Sequence, residues 1–137
     1  MKPLEADRML RIRLITRNAD FDAELDDTSD LALALWFALP LGSPINMLGD
    51  SFYFELPKLT LTVEGERRKT FEKGDIAYWP GVNALVVMFG PTPLSGEDGK
   101  PVWSYNLIKV GHLTGDFDAL SEAGDRQKVT FVQNLDI

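Results

Sequence analysis

Large aromatic side chains beside prolines and glycines are the residues of this chain whose types and spacing best suit ligand recognition. Trp79 stands directly before a proline, and Phe89 opens a Phe-Gly-Pro-Thr-Pro run that contains Thr92. Tyr53 and Phe54 lie together in a second aromatic stretch. Rings held by rigid backbone often line binding pockets. We therefore predict these five residues as ligand-binding, with packing in the core as the alternative.

The residue types that most hydrolytic and metal chemistry needs are scarce. The chain has no cysteine and a single histidine, His112, which excludes thiolate nucleophiles, cysteine-based zinc sites and multi-histidine metal sites. No Gly-x-Ser-x-Gly run marks a serine nucleophile. The acidic residues between positions 20 and 30 lack the spacing of a calcium loop. We predict no metal site and no cofactor.

The charge balance argues against a nucleic-acid partner. Acidic residues outnumber basic ones 21 to 14, giving a net charge of −7, whereas phosphate binding needs clustered Lys and Arg. No run approaches the roughly 18 apolar residues of a membrane span, and residues 1–7 lack an apolar signal core. We expect no membrane association, a cytoplasmic location, and one domain over residues 1–137 with a loose tail at 1–7.

Two alternating segments near the N-terminus predict an antiparallel hairpin. Apolar and charged residues alternate over residues 10–14 and again over 21–26, which is the period of a half-buried strand. A turn centred on residues 18–19 would set Arg13 opposite Glu24, so that one face pairs opposite charges and the other pairs apolar side chains. The other pairs in this register are Arg11 with Asp26, Ile12 with Leu25 and Leu14 with Ala23.

One helix and several more strands follow the hairpin. Residues 28–30 offer N-caps, residues 31–39 are good helix formers, and a proline ends the run. Because this helix is apolar on most of its circumference, we expect it to be deeply buried, with Trp36 against the sheet. We expect a loop over residues 41–49 and a charged turn over 64–69. Further strands are predicted over residues 52–56, 59–63, 76–79, 85–89, 105–110 and 129–135, with a short helical turn over 117–123.

This succession of elements predicts a mainly-β fold. Seven or eight short strands accompany only one substantial helix. Strands at a sheet edge expose unpaired backbone groups, and closing the sheet into a barrel removes those edges. A closed barrel is therefore the expected architecture.

Several motifs resemble those of the small prokaryotic cyclophilin-like proteins. They are GDIAYWP (74–80), NAL (83–85), FGPTP (89–93), GD (49–50) and VGHLTGD (110–116). The resemblance extends over about residues 10–135. It implies a closed eight-stranded antiparallel cyclophilin-like barrel with one main helix and a short second helix.

True cyclophilins are peptidyl-prolyl isomerases, and the resemblance raises the question of their arginine. Rotation about the prolyl amide faces a barrier of roughly 18–20 kcal/mol, and cyclophilins lower it with an arginine that donates a hydrogen bond to the prolyl nitrogen. That arginine lies on the strand after the first helix, which we match to residues 51–57. Anchoring the match on Pro57 puts Phe54 at the arginine's position, so the arginine is missing unless Arg67 or Arg126 supplies the donor.

The resemblance implies two alternative functions. The first is a barrel that binds a peptide or a small-molecule ligand in an aromatic groove without chemistry. The second is a weak or atypical peptidyl-prolyl cis-trans isomerase.

Overall fold

The computed structural model describes residues 10–135, so the predicted tail over residues 1–7 lies outside the described part. Strands dominate this part of the chain, as the sequence predicts. In chain order the elements are β1 (Leu10–Ile15), β2 (Asp20–Leu25), α1 (Asp30–Ala38), β3 (Leu41–Met47), β4 (Ser51–Glu55), β5 (Arg67–Thr70), β6 (Asp75–Trp79), β7 (Ala84–Met88), β8 (Val102–Thr114), a 3-10 turn (Asp118–Glu122) and β9 (Lys128–Gln133).

Eight of these strands form a closed antiparallel barrel, which confirms the predicted fold class. The order around the barrel is β2, β1, β9, β3, β4, β7, β6 and β8, and β8 pairs with β2 to close the ring. The remaining strand, β5, pairs with the first half of β8. The long β8 therefore contacts three strands along its length.

The β1–β2 hairpin forms, but the predicted register is wrong by two residues. Arg13 lies opposite Asp22 instead of Glu24, and Ile12 lies opposite Ala23. The cause is a tighter turn, in which the Thr16 hydroxyl accepts hydrogen bonds from the backbone N–H groups at positions 18 and 19. A two-residue shift keeps every side chain on its own face of the strand, so the apolar residues still point into the barrel.

Three segments after the hairpin differ from the sequence-based expectation. Residues 41–47, predicted as a loop, form β3, and the last three residues of the predicted charged turn belong to β5. Residues 59–63, predicted as a strand, are irregular although Leu59, Leu61 and Val63 pack against the core. The alternating pattern correctly indicated which side chains pack against the core. A strand also needs a neighbouring strand edge with which to form backbone hydrogen bonds, and the pattern does not show whether one is available.

Helix α1 forms one residue earlier than predicted, over Asp30–Ala38 instead of residues 31–39, and is less buried than expected. The Ser29 hydroxyl accepts a hydrogen bond from the Ala32 N–H at 3.1 Å and caps the helix. Only Leu31, Ala32 and Leu35 are fully buried, while Trp36 is half-buried against the core and Phe37 is 76% exposed. No helix in residues 10–135 is long and apolar enough to cross a membrane.

Apolar side chains form two layers, one inside the barrel and one on its outer face. The interior layer receives side chains from the strands of the ring and from α1. The outer layer packs Ala77, Val86 and Met88 of β6 and β7 beneath Trp103 and Leu107 of β8. The first half of β8 therefore covers part of the barrel's outer wall.

The different exposure of Trp36 and Phe37 predicts different costs of truncation. We expect Trp36→Ala to lower the free energy of unfolding by about 2 kcal/mol, below the roughly 3–5 kcal/mol of a fully buried Trp, because its ring is only partly packed. Phe37→Ala should change it by less than about 0.5 kcal/mol. Urea denaturation of both variants measures the difference, and equal costs would contradict this orientation of α1.

Candidate functional site

Four aromatic rings on the outer face of the barrel form the candidate site. We call Tyr53, Trp79, Trp103 and Tyr105 the outer aromatic cluster. Trp79 is its centre: its ring stacks on Tyr105 with centroids 5.2 Å apart and an interplanar angle of 26°. Tyr53 and Trp103 each meet Trp79 edge-on at 5.6 Å. Edge-on and offset-stacked geometries are those that aromatic quadrupoles favour.

Strand alternation explains why these rings face outward. On β6 the side chains of Ile76 and Tyr78 enter the barrel, so Trp79 points outward. Trp103 and Tyr105 lie two residues apart on β8 and therefore share a face, which the first half of β8 turns towards the barrel wall. Tyr53 reaches the same face from β4, where Asn46 of β3 lies opposite it.

The cluster grades from buried to exposed. Trp103 is 3% exposed and Tyr105 is 58% exposed, while Tyr53 and Trp79 are half-buried. The indole N–H of Trp103 has no hydrogen-bond partner in the described structure. The hydroxyl groups of Tyr53 and Tyr105 likewise form no hydrogen bond within residues 10–135. The cluster thus combines open ring faces with uncommitted polar atoms.

The structure divides the five predicted binding residues among three places. Tyr53 and Trp79 meet in the outer aromatic cluster. Phe54 and Phe89 belong to the barrel interior, where they are 0% and 5% exposed. Adjacent residues on a strand point to opposite faces, so Tyr53 and Phe54 cannot line one groove.

Thr92 lies in the turn after β7 and organises that turn. It is buried, and its hydroxyl donates a hydrogen bond of 2.5 Å to the carbonyl oxygen of Val102. Its backbone N–H donates to the Ser95 hydroxyl at 2.9 Å. These bonds tie the exit from β7 to the start of β8 and so help to place Trp103.

Sequence reasoning missed Trp103 and Tyr105 as members of the site. Their signal was present, because Trp103, Tyr105 and Leu107 alternate with polar residues, but the strand was predicted to begin only at Tyr105. Alternation alone also does not show which strands the side chains on one face of β8 will pack against. The contact of Trp103 with Trp79 depends on the way β8 crosses β6 and β7.

Asn83 holds the loop that follows Trp79. It adopts a positive φ of 54°, a conformation that Asn tolerates better than most residues. Its side-chain amide donates to the carbonyl oxygens of Leu56 and Pro57 at 3.3 and 3.1 Å. Its side-chain oxygen accepts a bond of 2.8 Å from the Tyr78 hydroxyl, and burial raises the pKa of that hydroxyl.

The strand that follows the first helix is β3, so the sequence-based match of that strand to residues 51–57 is wrong. The error arose because β3 was taken for a loop. Neither β3 nor β4 contains an arginine or a lysine. Phe54 faces the barrel interior and offers no hydrogen-bond donor to the outer face.

Arg126 nevertheless lies beside β3. Its φ is +67°, and its guanidinium donates a hydrogen bond of 2.5 Å to the side-chain oxygen of Asn46. The backbone N–H of Arg126 also donates to the carbonyl oxygen of Ile45. Since Asn46 is the cross-strand neighbour of Tyr53, this cation lies near one end of the outer aromatic cluster.

A cleft of about 460 Å³ opens on another side of the molecule, between the end of β2, the start of β5 and the middle of β8. Its wall is largely charged, and it contains the His112–Glu24 pair at 3.5 Å. None of the five predicted binding residues lines it. In the described part of the chain, no group of three or more His, Asp or Glu side chains is arranged to hold a metal ion.

Comparison with known proteins identifies a family and similar solved structures. The sequence model of the family described as Cyclophilin-like matches residues 10–132. The solution structure of a hypothetical protein from Archaeoglobus fulgidus is similar, with a TM-score of 0.71 and 27% identity over 92% of this chain and 95% of that one. No curated protein matches this chain significantly.

The contacts of Asn83 predict how two substitutions will differ. Asn83→Gly removes three side-chain hydrogen bonds but permits the positive φ, and we expect it to lower the free energy of unfolding by about 1–3 kcal/mol. Asn83→Ala should cost about 1 kcal/mol more, because a Cβ disfavours this conformation. Denaturant unfolding tests both, with the exposed Asn106→Ala as control. Equal costs for the Gly and Ala variants would contradict the contribution of the backbone.

Proposed function

Because this chain belongs to the cyclophilin-like family, we propose that its barrel binds a peptide or a small-molecule ligand through the outer aromatic cluster. The observation that carries the proposal is the Trp79–Tyr105 stack. Its rings lie 5.2 Å apart, and Tyr105 is 58% exposed. The stack ends at the surface, where a ligand can reach it.

The geometry of the cluster favours a ligand with a flat or cyclic apolar group. Each aromatic contact beyond simple burial is worth about 0.5–1.5 kcal/mol, and Trp79 is held by three neighbouring rings before any ligand arrives. A preformed surface loses little side-chain entropy on binding. The free hydroxyl groups of Tyr53 and Tyr105 can accept or donate hydrogen bonds to polar groups on such a ligand.

Substitutions at Tyr105, on the outer face of β8, and at Phe54, on the inner face of β4, separate binding from stability. A suitable probe is a short peptide with an aromatic residue next to an X-Pro bond, titrated while tryptophan fluorescence is recorded. We expect Tyr105→Ala to weaken binding by about tenfold, equivalent to 1.4 kcal/mol, because it removes one half of the stack. Phe54→Leu should lower stability but leave the affinity unchanged, since Phe54 faces the interior.

Phe37→Ala is the matched control, because it removes another exposed ring far from the cluster in sequence and on a different element. Equal weakening by Phe37→Ala and Tyr105→Ala would indicate non-specific adhesion to exposed rings and would contradict the proposed site. Unchanged affinity in Tyr105→Ala would contradict it as well.

A second candidate function is weak prolyl isomerisation with Arg126 as the donor. This candidate is favoured by the hydrogen bond from the Arg126 guanidinium to Asn46, the residue of β3 that lies opposite Tyr53. Arg126 has a positive φ, a conformation that costs a non-glycine residue roughly 1–3 kcal/mol. Backbone strain of this kind often occurs at functional sites. Arg67 has less support, because it lies on β5 opposite Ile108 of the interior layer.

We expect turnover on X-Pro peptides to be absent or far below that of an ordinary cyclophilin, because β3 and β4 carry no arginine. A donor of this kind is worth about 2.7–4 kcal/mol, by analogy with oxyanion-hole donors. A protease-coupled isomerisation assay measures it. Cyclophilin-like rates that survive Arg67→Ala but are lost in Arg126→Gly would contradict this expectation and establish the second function. Since glycine accepts a positive φ, Arg126→Gly should not lower stability through backbone strain.

A further inference from the structure

Strand β5 presents an open backbone edge. It pairs with β8 alone and ends the strand order. All four of its residues are exposed. On the edge away from β8, its backbone N–H and C=O groups have no backbone partner within residues 10–135. An edge of this kind can accept one more strand through main-chain hydrogen bonds.

The same edge carries positive charge in a negatively charged protein. Arg67, Arg68 and Lys69 are consecutive, and none forms an ion pair with a described residue. The chain as a whole has a net charge of −7. Consecutive strand residues point to opposite faces, so both faces of β5 present a cation. Arg68 is further held over the Phe71 ring at 5.3 Å.

From this edge and its charge we propose that β5 binds an extended acidic segment of a partner protein as an added antiparallel strand. The backbone ladder supplies the attachment, and the three cations select carboxylate side chains on either face of the incoming strand. A second copy of β5 is a poor occupant, because antiparallel self-pairing would bring Arg and Lys residues opposite one another. The charges that prevent self-association thus also specify the partner.

This site adjoins the outer aromatic cluster, because β5 pairs with the half of β8 that carries Trp103 and Tyr105, but it uses different groups. The cluster belongs to β4, β6 and the face of β8 that carries Trp103 and Tyr105, whereas the proposed contact uses the far edge of β5. The inference therefore does not depend on the proposed ligand of the cluster, and the two can fail independently.

Two synthetic peptides of about eight residues, the length of an ordinary strand, test the proposal. One alternates Glu with Val and the other alternates Lys with Val. We expect only the Glu peptide to bind at low ionic strength, and we expect it to slow amide hydrogen exchange at residues 67–70. Arg67→Glu combined with Lys69→Glu should weaken binding at least about tenfold, and about 0.15 M salt should weaken it as well.

The matched control is Arg17→Glu with Lys58→Glu, which changes the net charge equally at two other exposed positions. Arg67→Gln with Lys69→Gln tests the same edge without reversing charge, and circular dichroism checks that each variant keeps its fold. Equal weakening in the control pair, binding of the Lys peptide, or binding without slower exchange at residues 67–70 would overturn the proposal. So would failure of the Glu peptide to bind, or a dimer that protects these amides without peptide.

Discussion

Closure of the barrel between β2 and β8 is the constraint on which the rest of the structure depends. Gly111 of β8 lies opposite Leu25, and a Cβ atom at Gly111 would overlap the carbonyl oxygen of Glu24. Only glycine allows the two backbones to approach so closely. The Asp26 N–H then donates to the Val110 carbonyl oxygen at 2.8 Å and extends the contact. Without this pairing, the N-terminal hairpin would end in an open edge.

The same stretch of β8 also accounts for the outer aromatic cluster. The register of β6 against β8 shifts between Ile76 and Ala77, beside Gly111, and a bulge of this kind bends a strand and increases its twist. After the bulge β8 pairs with β2, whereas before it the same edge of β8 pairs with β5. Ile108 and Lys109 still pair with β6, while Trp103 and Leu107 pack on the outer wall. Barrel closure and the placement of Trp103 against Trp79 are thus two results of one long, bent strand.

The outer face combines features that relate this protein to its family and features that set it apart. The barrel is cyclophilin-like, yet the strand after the first helix carries no cation, and a guanidinium reaches it from Arg126 in the turn before β9. Tyr53, the residue opposite Asn46, contacts Trp79 of the outer aromatic cluster. For this reason we propose recognition rather than catalysis, because aromatic faces bind apolar groups whereas barrier lowering needs a donor aimed at the reacting nitrogen.

Local residue chemistry was enough to predict much of the fold. Alternation, β-forming residues and one continuous apolar run located seven of the nine described strands at least in part. The Ser29 cap and Pro40 bounded α1, and the motifs around Trp79 and Phe89 identified the barrel. Each of these signals depends on residues that are close in sequence. They did not separate Tyr53 from Phe54: both were predicted to bind a ligand, although neighbouring strand residues face opposite ways.

The sequence by itself therefore determined the alternating faces, the helix and the family, but only the tertiary structure decided which faces meet. Leu59, Leu61 and Val63 alternate as a strand would, yet they lack a partner edge, while the polar residues of β5 gain one on β8. The hairpin register depended on the Thr16 hydroxyl, and the cluster depended on the contact between Trp103 of β8 and Trp79 of β6. Strand pairing and side-chain packing join residues that are distant in sequence. Hydrophobic periodicity and secondary-structure propensity describe only residues that are close in sequence, so they cannot predict these contacts.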